Sequence, residues 1–294
     1  MSKQTRYPKY ELLGVEVDAL TMDEANEAMG AWLNDPTHPS CYVVKPYVEF
    51  LDRASQDEPI RTLLNNAQLS LPDGVALSWA TTYIYGGEPS FTRLLATLAD
   101  IVRKPQSLQH YLPDRFAGAN ATWSLLGYCA KNHFNVFLIG SPKDGTIEQT
   151  AKVIAGRVPG IKIVGTAPGD AEKLYHAPKR SDDSELITLA NRLTKTGADV
   201  ILVGMGFPLQ EAVMANLHKH LQHGILIGEG GTFDYDSFGG KQRRAPKAIQ
   251  RIGLEWLWRL VLQPTRLGRQ LAIPRFIYKI YRYGATRATI QTKP

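Results

Sequence analysis

Cysteine is scarce: the chain has two in 294 residues, Cys41 and Cys129, each inside an apolar run. That excludes a disulfide-stapled fold and the common cysteine zinc sites, and it fits a reducing cytoplasm. The seven histidines include no HxxxH pair, and His218, His220 and His223 read as a polar helix end, so no metal centre is expected. No run approaches the roughly 18–20 apolar residues that span a bilayer, and no apolar segment follows the charged residues 1–14. Neither a membrane span nor a signal peptide is therefore expected. Internal repeats and low-complexity tracts are missing too. Acid is nearly absent from one end: beyond Gly240 a single acid, Glu255, faces thirteen Lys and Arg. The chain's net +6 thus divides into −6 for residues 1–240 and +12 for the last 54. Such a tail suits nucleic acid, anionic lipid or a phosphorylated substrate.

What is present is an alternation of strands and helices. Residues 9–20 read as a short strand pair, and Thr21 with Glu24 as a capping box opening a helix through Leu33. Cys41 to Val44 is a buried strand ended by Lys45 and Pro46, and residues 68–71 are a short strand running into Pro72, Asp73 and Gly74. A helix is expected over 91–102, and another over 122–132. From there strands at 135–139, 161–164, 199–203 and 224–227 alternate with helices near 145–157, 183–196 and 209–222. Continuous apolar strands separated by helices predict an α/β fold of Rossmann type: a mostly parallel sheet covered on both faces. Residues 1–240 form that domain, and 241–294 a basic helical C-terminal appendage. Within the appendage Phe276, Ile277, Ile280 and Tyr281 make an apolar face flanked by Arg275, Lys279 and Arg282, the pattern of a helix lying on an anionic membrane.

The densest information lies at 228–246, GEGGTFDYDSFGGKQRRAP. An apolar strand runs into Gly228, Gly230 and Gly231, where the lack of Cβ atoms lets backbone N–H groups approach a ligand. Lys241, Arg243, Arg244 and Lys247 follow. A glycine-lined strand end with cations behind it suits a large anion such as a diphosphate; a flexible loop with a solvated basic run is the plainer alternative. The ordered run of Gly230, Gly231, Asp234, Gly240, Arg244, Pro246, Gly253, Trp256, Arg259 and Pro264 resembles the C-terminal signature of the TagA/WecG/CpsF-type bacterial glycosyltransferases.

That resemblance implies transfer of a sugar from a UDP-sugar to a polyprenyl-diphosphate-linked saccharide in cell-surface polysaccharide synthesis. The enzyme would be peripheral on the inner face of the cell membrane, in contact with anionic lipid, with no cofactor and no nucleic acid. Read alone, Asp73 between Pro72 and Gly74 is a turn residue; the resemblance makes it the catalytic base. It likewise implies that Gln210 faces the site, with Glu211 beside it as a further substrate contact, and that Arg259, Arg266 and Arg269 hold the UDP diphosphate. Guanidinium forks match phosphate geometry. Asp234 and Asp236 form a D-x-D, a metal-binding pattern in other glycosyltransferases, but only Asp234 matches this family.

Departures sit near the expected site. Lys45 and Tyr47 stand where many members carry threonine and asparagine, with Glu49 two residues on. Arg115 leads a stretch ending in Asn120 where the family has aspartate. Residues 84–112 are longer than usual. These positions, with Gly230, Gly231 and Arg244, are the expected substrate contacts. A family member that binds UDP-sugar without turnover, and a nucleic-acid binder using the basic tail, are the rival readings.

Overall fold

The computed structural model describes residues 7–140, 142, 145–170, 172–176, 183–246, 249, 255–262 and 271–291. Strands β1 (Lys9–Leu12) and β2 (Val15–Asp18) pair as an antiparallel hairpin. Helix α1 (Met22–Asn34) starts at the expected capping box: Thr21 Oγ1 accepts from Glu24 N, and Glu24 Oε2 accepts from Thr21 N. Then come β3 (Cys41–Val44), α2 (Val48–Ala54), α3 (Glu58–Asn65), β4 (Leu69–Ser70), α4 (Val75–Tyr85), α5 (Phe91–Arg103) and α6 (Gly118–Lys131). The second half runs β5 (Asn135–Gly140), α7 (Ile147–Arg157), β6 (Lys162–Ala167), α8 (Ser184–Thr196), β7 (Val200–Gly204), α9 (Leu209–Leu217) and β8 (Ile225–Gly228). Helices α10 (Glu255–Leu262) and α11 (Ala272–Gln291) close the chain.

Strands β3 to β8 form one parallel sheet in the order β4-β3-β8-β7-β5-β6. Side chains alternate cleanly between its faces. Tyr42, Val44, Phe137, Ile139, Ile201, Val203 and Leu226 join one apolar core with α2, α3, α4, α8, α9 and α11. Cys41, Val43, Val136, Leu138, Val200, Leu202, Ile225 and Ile227 join the other, with α1, α6 and α7. The strands read as unbroken apolar runs because both faces are covered. The Rossmann-like fold expected from the alternation is the one observed.

The order also opens a crevice. The chain leaves β3 toward one edge of the sheet and β5 toward the other, and β7 and β8 fill the middle later. Ligands of open parallel sheets sit outside the carboxyl ends of the strands at such a reversal.

One expectation is overturned. Phe276 and Ile280 of α11 are fully buried, and Ile277 and Tyr281 pack partly buried against the same core. The face expected to enter lipid lies instead against the body, near Trp79 of α4. Two of its flanking cations are engaged as well. Arg275 donates to Asp52 Oδ2 through Nε (3.1 Å) and Nη2 (3.0 Å), and Lys279 Nζ reaches Asp52 Oδ1 (2.6 Å) and Ser55 Oγ (2.8 Å). Asp52, buried on α2, needed charge compensation, and the apolar face of α11 needed a core. One docking satisfies both.

Candidate active site

Four strand ends meet in the crevice. After β4, Pro72, Asp73 and Gly74 turn into α4, and Gly74 serves as its N-cap at φ +95°, a conformation open to glycine. The turn is tied on both sides: Asp73 N donates to Pro46 O of the β3 loop (2.9 Å), and Phe116 N donates to Pro72 O (2.8 Å). Asp73 is partly exposed, and Arg115 stands beside Phe116, also partly exposed. On the β3 loop Tyr47 donates its hydroxyl to Glu49 Oε2 (2.7 Å). Tyr47 packs on Phe50, whose ring stacks at 3.8 Å on Phe207 of the β7 loop.

The β7 and β8 loops are joined by one amide. Gln210, on the first turn of α9, accepts through Oε1 from Gly206 N (3.2 Å) and Gly230 N (2.8 Å), and donates through Nε2 to Glu211 Oε1 (2.7 Å). Both side chains are buried. Burial pushes the Glu211 carboxyl up to about 7, against the lowering effect of the bond from Gln210. Gln210 therefore fixes the β7 and β8 loops relative to each other. The β8 loop itself holds Gly230 at φ +55° and is supported by Phe233, whose ring leaves no room for a Cβ at Gly204.

Other expected residues fall as follows. Asp234 Oδ2 lies close to Gly231, and the Asp234 backbone accepts from Gln242 N (2.9 Å). Asp236 is exposed. Asn120, at the start of α6, accepts from Arg244 Nη1 (2.7 Å), which carries the basic stretch to the crevice rim. Arg259 falls on α10, but its side chain lies outside the described residues, as do Arg266 and Arg269. Among the described residues no cluster of three metal-ligating side chains occurs.

Lys45 is buried. It points inward, and its Nζ lies 2.8 Å from Glu229 Oε2, with both side chains buried. Thr122 of α6 donates to the same oxygen. Sequence reading missed Glu229 and Thr122. A glutamate between Gly228 and Gly230 at the end of an apolar strand was a signal that some buried cation must answer it; nothing marked Thr122.

The chain, a parallel sheet covered on both faces with its loops gathered at the strand ends, is a glycosyltransferase. It belongs to the WecG/TagA/CpsF glycosyl transferase family, which its residues match over 10–104 and 100–289. The chain is also similar to the N-acetylglucosaminyldiphosphoundecaprenol N-acetyl-beta-D-mannosaminyltransferase of Bacillus subtilis (strain 168). The two are 28% identical over 251 residues, which cover 85% of this chain and 82% of that one.

Proposed function

We propose that the protein moves a hexose-type sugar from a UDP-sugar to a hydroxyl of a polyprenyl-diphosphate-linked saccharide, in cell-surface polysaccharide synthesis. The named activity of the Bacillus subtilis relative, on a diphosphoundecaprenol-linked sugar, supports that substrate class. Asp73 takes the acceptor proton as the acceptor oxygen attacks the anomeric carbon, and UDP departs with the electrons of the broken bond. Arg115, Tyr47 and Glu49 line the acceptor side. Gly230 and Gly231, with Asp234, receive the donor. Arg244, Arg259, Arg266 and Arg269, the cations that the family resemblance assigns to the donor, neutralise the departing diphosphate.

The observation that carries this reading is the pair of backbone bonds tying the Asp73 turn to Pro46 and Phe116. They hold a partly exposed carboxylate on the turn that follows β4. The enzyme works peripherally at the inner face of the membrane. Supporting this contact are Phe91, Leu95 and Val102 of α5, which are 59%, 53% and 56% exposed. Tyr281 of α11 meets Phe91 edge-on (6.4 Å), and Arg282 is exposed beside it. Asp73→Asn keeps size and turn preference but cannot accept the proton. Turnover should fall by roughly 100-fold or more while UDP titration stays unchanged; near-normal turnover would remove Asp73 from the chemistry.

A further inference from the structure

Glu229 is the residue immediately before the two glycines of the β8 loop. Its backbone is fixed: its N–H donates to Val203 O (2.7 Å), and its carbonyl accepts from Thr232 N (3.0 Å). Its side chain turns away from the crevice into the body, where Lys45 and Thr122 share Oε2. Oε1 has no hydrogen-bond partner among the described residues. A cavity of about 20 Å³ lies beside the pair, lined by Glu229, Lys45, Asn26, Leu71 and Phe116. That volume suits a single water. Among the described residues Lys45 is the one cation paired with Glu229.

We propose that Lys45 is a positioning residue that acts through Glu229: its buried ammonium cancels the carboxylate beneath Gly230 and Gly231, so that the loop can accept the diphosphate of a nucleotide-sugar. The inference rests on the donor reading given above. A diphosphate is a multiply charged anion, and an uncompensated carboxylate one residue from its seat would repel it. Field lines between partly buried charges are poorly screened, so the repulsion survives at moderate salt. At a separation of about 8 Å and an effective dielectric of about 20, one such charge weakens anion binding by on the order of tenfold or more. Lys45 also ties strand β3, whose loop holds the Asp73 turn, to the start of the donor loop. The pair therefore joins the ends of β3 and β8 from within the body.

A buried pair that served folding alone would make its two single losses alike. Both remove one partner and leave the other charge buried, which costs stability in each case. The electrostatic role instead gives them opposite signs. Lys45→Met leaves a buried negative charge under the loop, and Glu229→Gln leaves a buried positive one.

The test is calorimetric titration of the full chain with UDP, beside thermal melts. The proteins are wild type, Lys45→Met, Glu229→Gln and the double variant, at one pH and ionic strength. Lys45→Met should weaken UDP binding by about tenfold. Glu229→Gln should bind at least as tightly as wild type, although both single variants melt earlier. The double variant should return to within about threefold of wild type, since the net charge beneath the loop is again zero. Should Lys45→Met fail to fold, Lys45→Gln carries the same test, because an amide can still bond Glu229 but supplies no charge. If the two single variants move UDP affinity in the same direction, or if Lys45→Met leaves it unchanged, the proposal is overturned. If wild type itself binds no UDP, the donor reading falls, which is a separate result.

Discussion

Two amphipathic helices of this chain expose their apolar residues in opposite ways. Helix α11, Tyr- and Arg-rich at the end of a basic tail, has the composition of a membrane-surface helix, yet Phe276 and Ile280 are fully buried in the body. Helix α5 lies outside that tail and carries fewer charges. It buries Leu94 and Thr97, with Thr97 accepting from the Trp79 indole (3.0 Å), but leaves Phe91, Leu95 and Val102 more than half exposed. An apolar face with cations beside it must be covered, but the pattern does not say by what. For α11 the deciding feature is a residue more than 200 positions earlier: Asp52, whose buried carboxylate takes both Arg275 and Lys279.

The strongest way to break this contrast is to empty the seat of α11. Phe276→Ala removes a fully buried ring that meets Trp79 edge-on (6.4 Å). The expected loss is about 3–5 kcal/mol, the range for such truncations in a packed core. Chemical denaturation followed by fluorescence measures it. A loss under about 1 kcal/mol would mean that α11 leaves the body easily and remains available to lipid. Leu95→Ala on α5 is the matched control and should change stability little, since its side chain is 53% exposed.

The next effect is smaller and tests the electrostatic half of the docking. Asp52→Ala removes the acceptor of Arg275 and Lys279 and leaves Lys279 with its bonds to Ser55 Oγ (2.8 Å) and the backbone oxygen of residue 52 (2.9 Å). Arg275 is more than half exposed and can return to water. The expected cost is therefore about 1–3 kcal/mol, the worth of hydrogen bonds to a charged group, and below that of Phe276→Ala. If Asp52→Ala costs more than Phe276→Ala, the latch outweighs the packing and the order of importance drawn here reverses.

Local signals made much of this legible. The capping box at Thr21 and Glu24, the parallel strands and the turn at Asp73 are all written within a few residues of where they act. So is the glycine loop, because a strand that ends in glycine must open there. The interactions that were not legible are non-local. Lys45 reads as a substrate contact, and its ion pair with Glu229, 184 positions away, has no local signal. Gln210 reads as facing the site, and nothing near it in the chain announces that its amide bonds Gly206, Gly230 and Glu211. In each case the residue type announced a buried polar need, and only the fold identified the partner.

The smallest expected effect concerns α5. If its outer face meets lipid, Leu95→Gln together with Val102→Gln should weaken co-sedimentation with anionic vesicles by about thirtyfold. The estimate takes about 1 kcal/mol for each half-exposed side chain withdrawn from the interface. Arg282→Gln, which removes the exposed cation that follows Tyr281 in α11, should weaken binding by about fivefold at low salt and not at high salt. UDP affinity should stay unchanged in both variants, because none of these side chains lies among the strand-end loops. The contrast with α11 supplies the control: Tyr278, on the exposed side of a helix otherwise seated in the core, is 60% exposed, and Tyr278→Gln should act like the α5 variants if the two surfaces meet one bilayer. If vesicle binding survives the Leu95 and Val102 changes but light scattering shows a dimer dissociating, the stripe on α5 is an interface between copies of this chain. The contact with lipid must then be sought elsewhere.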